Sequence, residues 1–206
     1  MPRKRWSRCE NELRGLHGPR LAGVDEVGRG PLAGPVVACA VIMPADRRAI
    51  SGVADSKVLR EADRDILAVR IRAIALGIGV GAASVREIDT FNIYHATSLA
   101  MRRAVRRLGE IPDHVLIDGN PIRTLGIEHT AVVDGDATCY SIACASIIAK
   151  VTRDRLMRAL ARRYPRYAWE RNVGYGTPEH IDALDLWGAT PHHRTTFRIK
   201  QLELLL

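Results

Sequence analysis

Cysteine is scarce in this chain: its four residues, Cys9, Cys39, Cys139 and Cys144, include no CxxC pair. That removes the paired-thiolate signature of a structural zinc site and speaks against a disulfide framework, so free thiols are expected, Cys39 as a small core residue in an apolar run. No apolar stretch approaches the length of a membrane span, and none follows the basic Pro2-Arg3-Lys4-Arg5, so a cytoplasmic protein with no membrane association is expected. Internal repeats and low-complexity segments are also absent. Negative charge is in the minority, with 23 acidic residues against 31 lysines and arginines and a net charge of +8. Such an excess favours a polyanionic partner. The length of 206 residues suits one main domain with a substantial core, and a monomer is expected.

What is present is organised around residues 21–43, LAGVDEVGRGPLAGPVVACAVIM. A short apolar run ends in Asp25 and Glu26, Gly28-Arg29-Gly30-Pro31 turns the chain, and a second apolar run follows. The pattern predicts strand, functional turn and strand. Neighbouring side chains on a regular strand point to opposite faces, so the two carboxylates serve one site only if the strand ends or bulges there. Two acids flanked by apolar residues imply a metal, a salt-bridged pair or a raised pKa.

Before this stretch, residues 1–20 are basic with weak periodicity and read as an arm or short helix. After it, the polar loop 54–57 precedes a helix over 61–76 that Gly77 would end, then a small-residue strand over 78–84. Thr90 or Asn92 is expected to cap a helix running to Leu108. His114–Asp118 again places a carboxylate at the end of an apolar strand before a glycine. A short strand over 130–133 and the turn Asp134-Gly135-Asp136 lead into a long helix over 140–163, so Asp136 lies close to a helix start. Only one or two connections are long enough for crossovers, which predicts a mixed sheet flanked by helices with its first two strands antiparallel. Tyr164, Tyr167, Trp169, Tyr175, Trp187 and Phe197 then gather among arginines and histidines, and Thr177-Pro178 opens a short helix. The closing Leu202–Leu206 reads as the end of a core-packing helix.

Four carboxylates, Asp25, Glu26, Asp118 and Asp136, thus fall at strand ends or a helix entrance beside glycine. If they converge they form an all-oxygen pocket, which suits Mg2+ or Mn2+ and the hydrolysis of a phosphodiester.

The stretch GVDEVGRGPLAGPVVA resembles the signature of the ribonuclease HII family, the type 2 ribonucleases H. VLIDGN around Asp118, the VVxGD pattern ending in Asp136, Asp55-Ser56-Lys57, residues 145–154 and the His193-Arg194 segment match further family motifs in order. The resemblance implies an α/β, ribonuclease H-like fold with a basic arm (1–20), a catalytic domain (21–163) and a small helical, substrate-binding extension (164–206). It implies an endoribonuclease that hydrolyses the RNA strand of RNA–DNA hybrids and nicks duplex DNA 5′ of embedded ribonucleotides, leaving 3′-hydroxyl and 5′-phosphate ends, in ribonucleotide excision repair. Asp25, Glu26, Asp118 and Asp136 would hold two divalent ions, Asp25 contacting both. Gly28, Arg29 and Gly30 would sense the ribose 2′-OH, Tyr175 would stack on the adjoining sugar, and Lys57 would meet phosphate. Ser146 and Lys150, four apart on the closing helix, would face the backbone as well. Val58, Asp134 and Val173 stand where the family usually has lysine, which predicts a weaker grip on phosphate or a steeper need for metal.

Two other readings fail on the residues. Gly28, Gly30 and Ala33 fit a dinucleotide-binding G-x-G-x-x-A, but that motif must open a helix, and here Pro31 and Pro35 lead into a β-branched run. A purely binding module would not set acids beside a phosphate backbone, since that is costly unless metals intervene.

Overall fold

The computed structural model describes residues 7–197; the basic Pro2–Arg5 and Leu202–Leu206 lie outside them. The described chain runs α1 (Arg8–His17), β1 (Leu21–Val27), β2 (Val36–Ile42), α2 (Glu61–Ile74), β3 (Gly77–Ala83), α3 (Val85–Arg106), β4 (His114–Asp118), β5 (His129–Val132), α4 (Gly135–Thr138), α5 (Tyr140–Arg163), α6 (Trp169–Asn172) and α7 (Pro178–Trp187). The five strands form one mixed sheet in the order β3-β2-β1-β4-β5. β1 pairs antiparallel with β2 and parallel with β4, as the short first turn and the long later connection require.

Alternation along the strands builds a core on each face of the sheet. Cys39, Val41 and Met43 pack with Leu67 and Ile71 of α2 and Ala145, Ile148 and Ala149 of α5. Ala22, Val24, Ala38 and Ala40 face the opposite way, onto Ile88, Ala100, Met101 and Ala104 of α3. The small residues of β3 have a steric cause: a Cβ on Gly81 would come within 2.1 Å of the Ala100 carbonyl oxygen, so α3 can lie directly on the strand. All four cysteines are free.

Several boundaries depart from those expected from the sequence. Ala75 caps α2, and Gly77 opens β3 instead of ending the helix. α3 begins earlier than Thr90, at a capping box formed by Ser84 and Glu87. Asn92 does cap, but from inside: it sits at φ 65°, ψ 168°, breaks the helix, and its Oδ1 accepts the amides of Tyr94 (2.9 Å) and His95 (3.2 Å) to start a second segment. Pro178 is at the first position of α7 as expected, yet the Thr177 side chain makes no cap hydrogen bond.

Residues 7–20 are tied to the domain by the Arg20–Asp113 ion pair, by His17 stacked on His114, and by one buried acid, Glu10. Glu10 closes the capping box of α1 with Ser7, and its carboxylate also accepts from Tyr140 N (3.1 Å), Ser141 N (2.8 Å) and Ser141 Oγ (2.7 Å). It therefore caps α5 from another helix, where the dipole favours negative charge, and contributes about 2 kcal/mol to that helix start.

Candidate active site

The ladder between β1 and β4 ends at Val24 opposite Ile117, whereas the ladder to β2 continues through Val27 without a bulge. Asp25 and Glu26 thus keep the opposite orientations of a regular strand, Asp25 toward the α5 face and Glu26 toward α3. Both lie beyond the last residue paired to β4, beside Asp118 at the end of that neighbouring strand. Strand termination on one side, not a bulge, meets the condition for a shared site.

Asp118 is the hub. Its Oδ1 accepts the Asp136 amide at 3.2 Å, which ties the end of β4 to the start of α4. Glu26, Arg29, Tyr94, Thr97, Asp118 and Asn120 help to line a cleft of about 340 Å³ on the α3 side. Burial, then the charge of Glu26, and further the charge of Asp118 push the Asp25 carboxyl well above its usual range, opposed by a hydrogen bond from Ser146. Burial also raises Glu26, against the charge and hydrogen bond of Arg29. Asp118 is raised by burial and by the charge of Asp136, opposed by amides of α4. Mutual repulsion in a buried cluster is what binding a cation relieves.

Two side chains already neutralise part of that charge. Arg29 Nη1 lies 3.2 Å from Glu26 Oε1, and Lys57 Nζ lies 3.1 Å from Asp136 Oδ2. Among the described residues no group of three His, Cys, Asp or Glu side chains is set in the geometry of a metal shell. The donor set nevertheless fits a hard divalent ion, being all oxygen, largely buried and in electrostatic excess.

The loop from Gly28 to Pro35 is shaped by two buried arginines. Arg153 of α5 donates to the carbonyls of Ala33 (3.0 Å), Pro35 (3.0 Å) and Val173 (2.9 Å). Arg194 donates to those of Gly28 (2.5 Å), Arg29 (2.8 Å) and Gly34 (3.0 and 2.8 Å). Gly28 has φ +89°, and a Cβ there would fall 2.1 Å from Arg153 Nε, so glycine is required twice over. Burial lowers the pKa of both guanidiniums, that of Arg194 to about 9 with help from the charge of Arg153. Neither role is expected from the sequence motifs; the signal available was one arginine inside the apolar run of α5, and the His193-Arg194 match.

Tyr175 is 43% exposed and adjoins Gly30, where an added Cβ would lie 3.9 Å from the tyrosine ring. The loop and Tyr175 are stitched together because Leu32 N and Ala33 N both donate to Gly174 O. Ser146 is buried on the Asp25 side, 2.8 Å from Ser56 Oγ, so Asp55-Ser56-Lys57 reaches the cluster through Ser56 and Lys57 alike. Lys150 is turned to Asp154, at 2.8 Å. Of the three positions lacking the family's lysine, Val58 is exposed, Asp134 is exposed at φ 52°, and Val173 is buried at φ 44°.

A sequence profile described as Ribonuclease HII matches residues 22–200. The chain is 58% identical to the ribonuclease HII of Thermosynechococcus vestitus over 179 residues, 86% of this chain and 83% of that protein. It is 57% identical to the ribonuclease HII of Granulibacter bethesdensis over 194 residues, 92% and 87% of the two. The crystal structure of the ribonuclease H2 from Pyrococcus horikoshii OT3 matches with a TM-score of 0.73 at 27% identity, covering 90% of this chain and 98% of that one.

Proposed function

The chain belongs to the ribonuclease HII family, which makes it a metal-dependent endoribonuclease acting on RNA–DNA hybrids, and we propose that it also nicks duplex DNA 5′ of embedded ribonucleotides for their removal. The observation that carries the proposal is the gathering of Asp25, Glu26 and Asp136 about Asp118, beside a glycine loop backed by Tyr175.

In this reading Asp25, Glu26, Asp118 and Asp136 would hold two Mg2+ or Mn2+ ions. Such ions would supply activation of water and stabilisation of the leaving oxygen of the phosphodiester. The protein's own part is selection and placement. The backbone of Gly28, Arg29 and Gly30 meets the ribose 2′-OH, the group that separates RNA from DNA. Tyr175 packs on the adjoining sugar and stops the duplex from sliding. Lys57 exchanges Asp136 for a phosphate oxygen, while Ser146, next to Asp25, and Lys150 border the strand on the α5 side. A net charge of +8 draws the duplex to a locally acidic centre. In this reading the enzyme works as a monomer in the cytoplasm, where its nucleic-acid substrate is met.

Hydrolysis of a labelled RNA–DNA hybrid with Mg2+, Mn2+ or chelator, for the native protein and Asp136→Asn, tests the site. The expected result is metal-dependent cutting of the RNA strand that the substitution removes. Undiminished cutting by the variant would detach Asp136 from the chemistry.

A further inference from the structure

Tyr175 is exposed, but the main chain beneath it is held by buried rings. His180 Nδ1 lies 2.8 Å from Tyr175 O, and His180 Nε2 lies 3.0 Å from His193 Nε2 and 3.1 Å from Trp169 Nε1. At the far end, His193 Nδ1 lies 2.8 Å from Thr190 N and 2.9 Å from Thr190 Oγ1. His180 and His193 are both buried.

The proton positions follow from donor-only groups. An indole N–H can only donate, so His180 Nε2 is an acceptor and the ring carries its proton on Nδ1, aimed at the Tyr175 carbonyl. The Thr190 amide can only donate as well, so His193 Nδ1 accepts and its Nε2–H donates to His180. The contacts from Thr190 to Tyr175 then run in one consistent direction with both rings neutral, His180 Nε2 sharing its lone pair between the Trp169 and His193 N–H groups. His193 also bridges to Ala33, and Arg194, next in the chain, donates to the carbonyls of Gly28 and Arg29. One short segment therefore braces both Tyr175 and the glycine loop.

We propose that His180 and His193 are a positioning relay that fixes Tyr175 over Gly30, so that recognition of a ribonucleotide step depends on two rings that touch no substrate. The proposal rests on the reading of Tyr175 as a substrate contact. The two rings act through the Tyr175 carbonyl, apart from the backbone bridge at His193, whereas a merely structural pair would support the whole extension.

A double-mutant cycle separates these roles. Single-turnover rates and KM on duplex DNA with one ribonucleotide are measured with Mn2+ for Tyr175→Ala, His180→Leu and the double variant, thermal unfolding confirming that each is folded. Loss of one stacking contact slows cleavage or raises KM roughly tenfold, so each single variant is expected to fall by about that factor. The double variant is expected to match Tyr175→Ala alone. His193→Gln, which keeps a donor toward His180, is expected near the native rate, and His193→Leu near His180→Leu; this pair carries the test if His180→Leu does not fold. Losses that multiply in the double variant would overturn the relay and leave Tyr175 as a contact. A Tyr175→Ala variant with native kinetics would instead overturn the reading of Tyr175 and the relay with it.

Discussion

Lys57 Nζ lies 3.1 Å from Asp136 Oδ2, an ammonium from a largely exposed loop side chain resting on a largely buried carboxylate. The hydrogen bond and charge of Asp136 raise the lysine pKa against the opposing effect of burial. The same carboxylate serves a lysine here and, in the proposed site, would help to hold a divalent ion, so the two cations would compete for it.

Lys57→Ala is therefore expected to lower the metal concentration needed for half-maximal activity, because Asp136 loses its competitor. The same change raises KM for the duplex, roughly threefold to tenfold for one lost phosphate contact at moderate salt. Metal titration at fixed substrate and substrate titration at saturating metal separate the two effects.

Asp134 adds a carboxylate two residues from Asp136 and stands in the left-handed region at φ 52°. Asp134→Lys is expected to tighten duplex binding and to steepen its salt dependence by about one unit of log affinity per log salt. It costs up to about 1 kcal/mol of stability, since lysine tolerates positive φ less well than aspartate. Identical duplex affinities and salt slopes for the two proteins would remove any role for this replacement.

Arg194 makes four donor contacts to three main-chain carbonyls, a fork that one ammonium cannot copy. Arg194→Lys is expected to destabilise the protein by about 3 kcal/mol, as at least two buried carbonyls lose a charged donor. Urea unfolding measures that loss. Cleavage of the ribonucleotide-containing duplex is expected to fall further than the folded fraction does, because the Gly28–Gly30 backbone is no longer held.

Burial, then the charge of His180, lowers the His193 pKa to about 4, and burial lowers His180 too. Tyr167, Trp169 and His180 pack against the ring, His192 is its neighbour, and Arg163 acts in turn on His192; no carboxylate offsets them in these shifts. A histidine depressed in the folded state binds fewer protons there than when unfolded, so stability is complete above the unfolded pKa near 6.5 and declines as pH falls toward 4. Between about pH 7 and pH 5 the expected loss is roughly 1 to 2 kcal/mol. Unfolding at several pH values checks this, with a shallower slope expected for His193→Gln.

Much of this was legible because the informative residues are local in sequence. Asp25 and Glu26 lie near the end of β1, Asp118 ends β4 and Asp136 lies in the first turn of α4, each close to a glycine, and period-two and helical patterns placed the elements within a few residues. Less legible was what depends on contacts between distant segments. Nothing in the pattern around Glu10 says that it caps α5, since the amides it satisfies are those of Tyr140 and Ser141. Nothing in the motifs around Arg153 and Arg194 says that their guanidiniums are spent on backbone carbonyls. The early start of α3 is masked in the sequence because Asn92, a strong cap signal, is a true cap inside a helix already begun.

The most direct measurement is nicking of a labelled DNA duplex carrying one ribonucleotide, with Mg2+, Mn2+ or chelator, for the native protein and Asp118→Asn. The account predicts metal-dependent cleavage 5′ of the ribonucleotide, with 3′-hydroxyl and 5′-phosphate ends, and loss of that cleavage in the variant while duplex binding persists. Cleavage elsewhere, cleavage in chelator, or a fully active Asp118→Asn would contradict it.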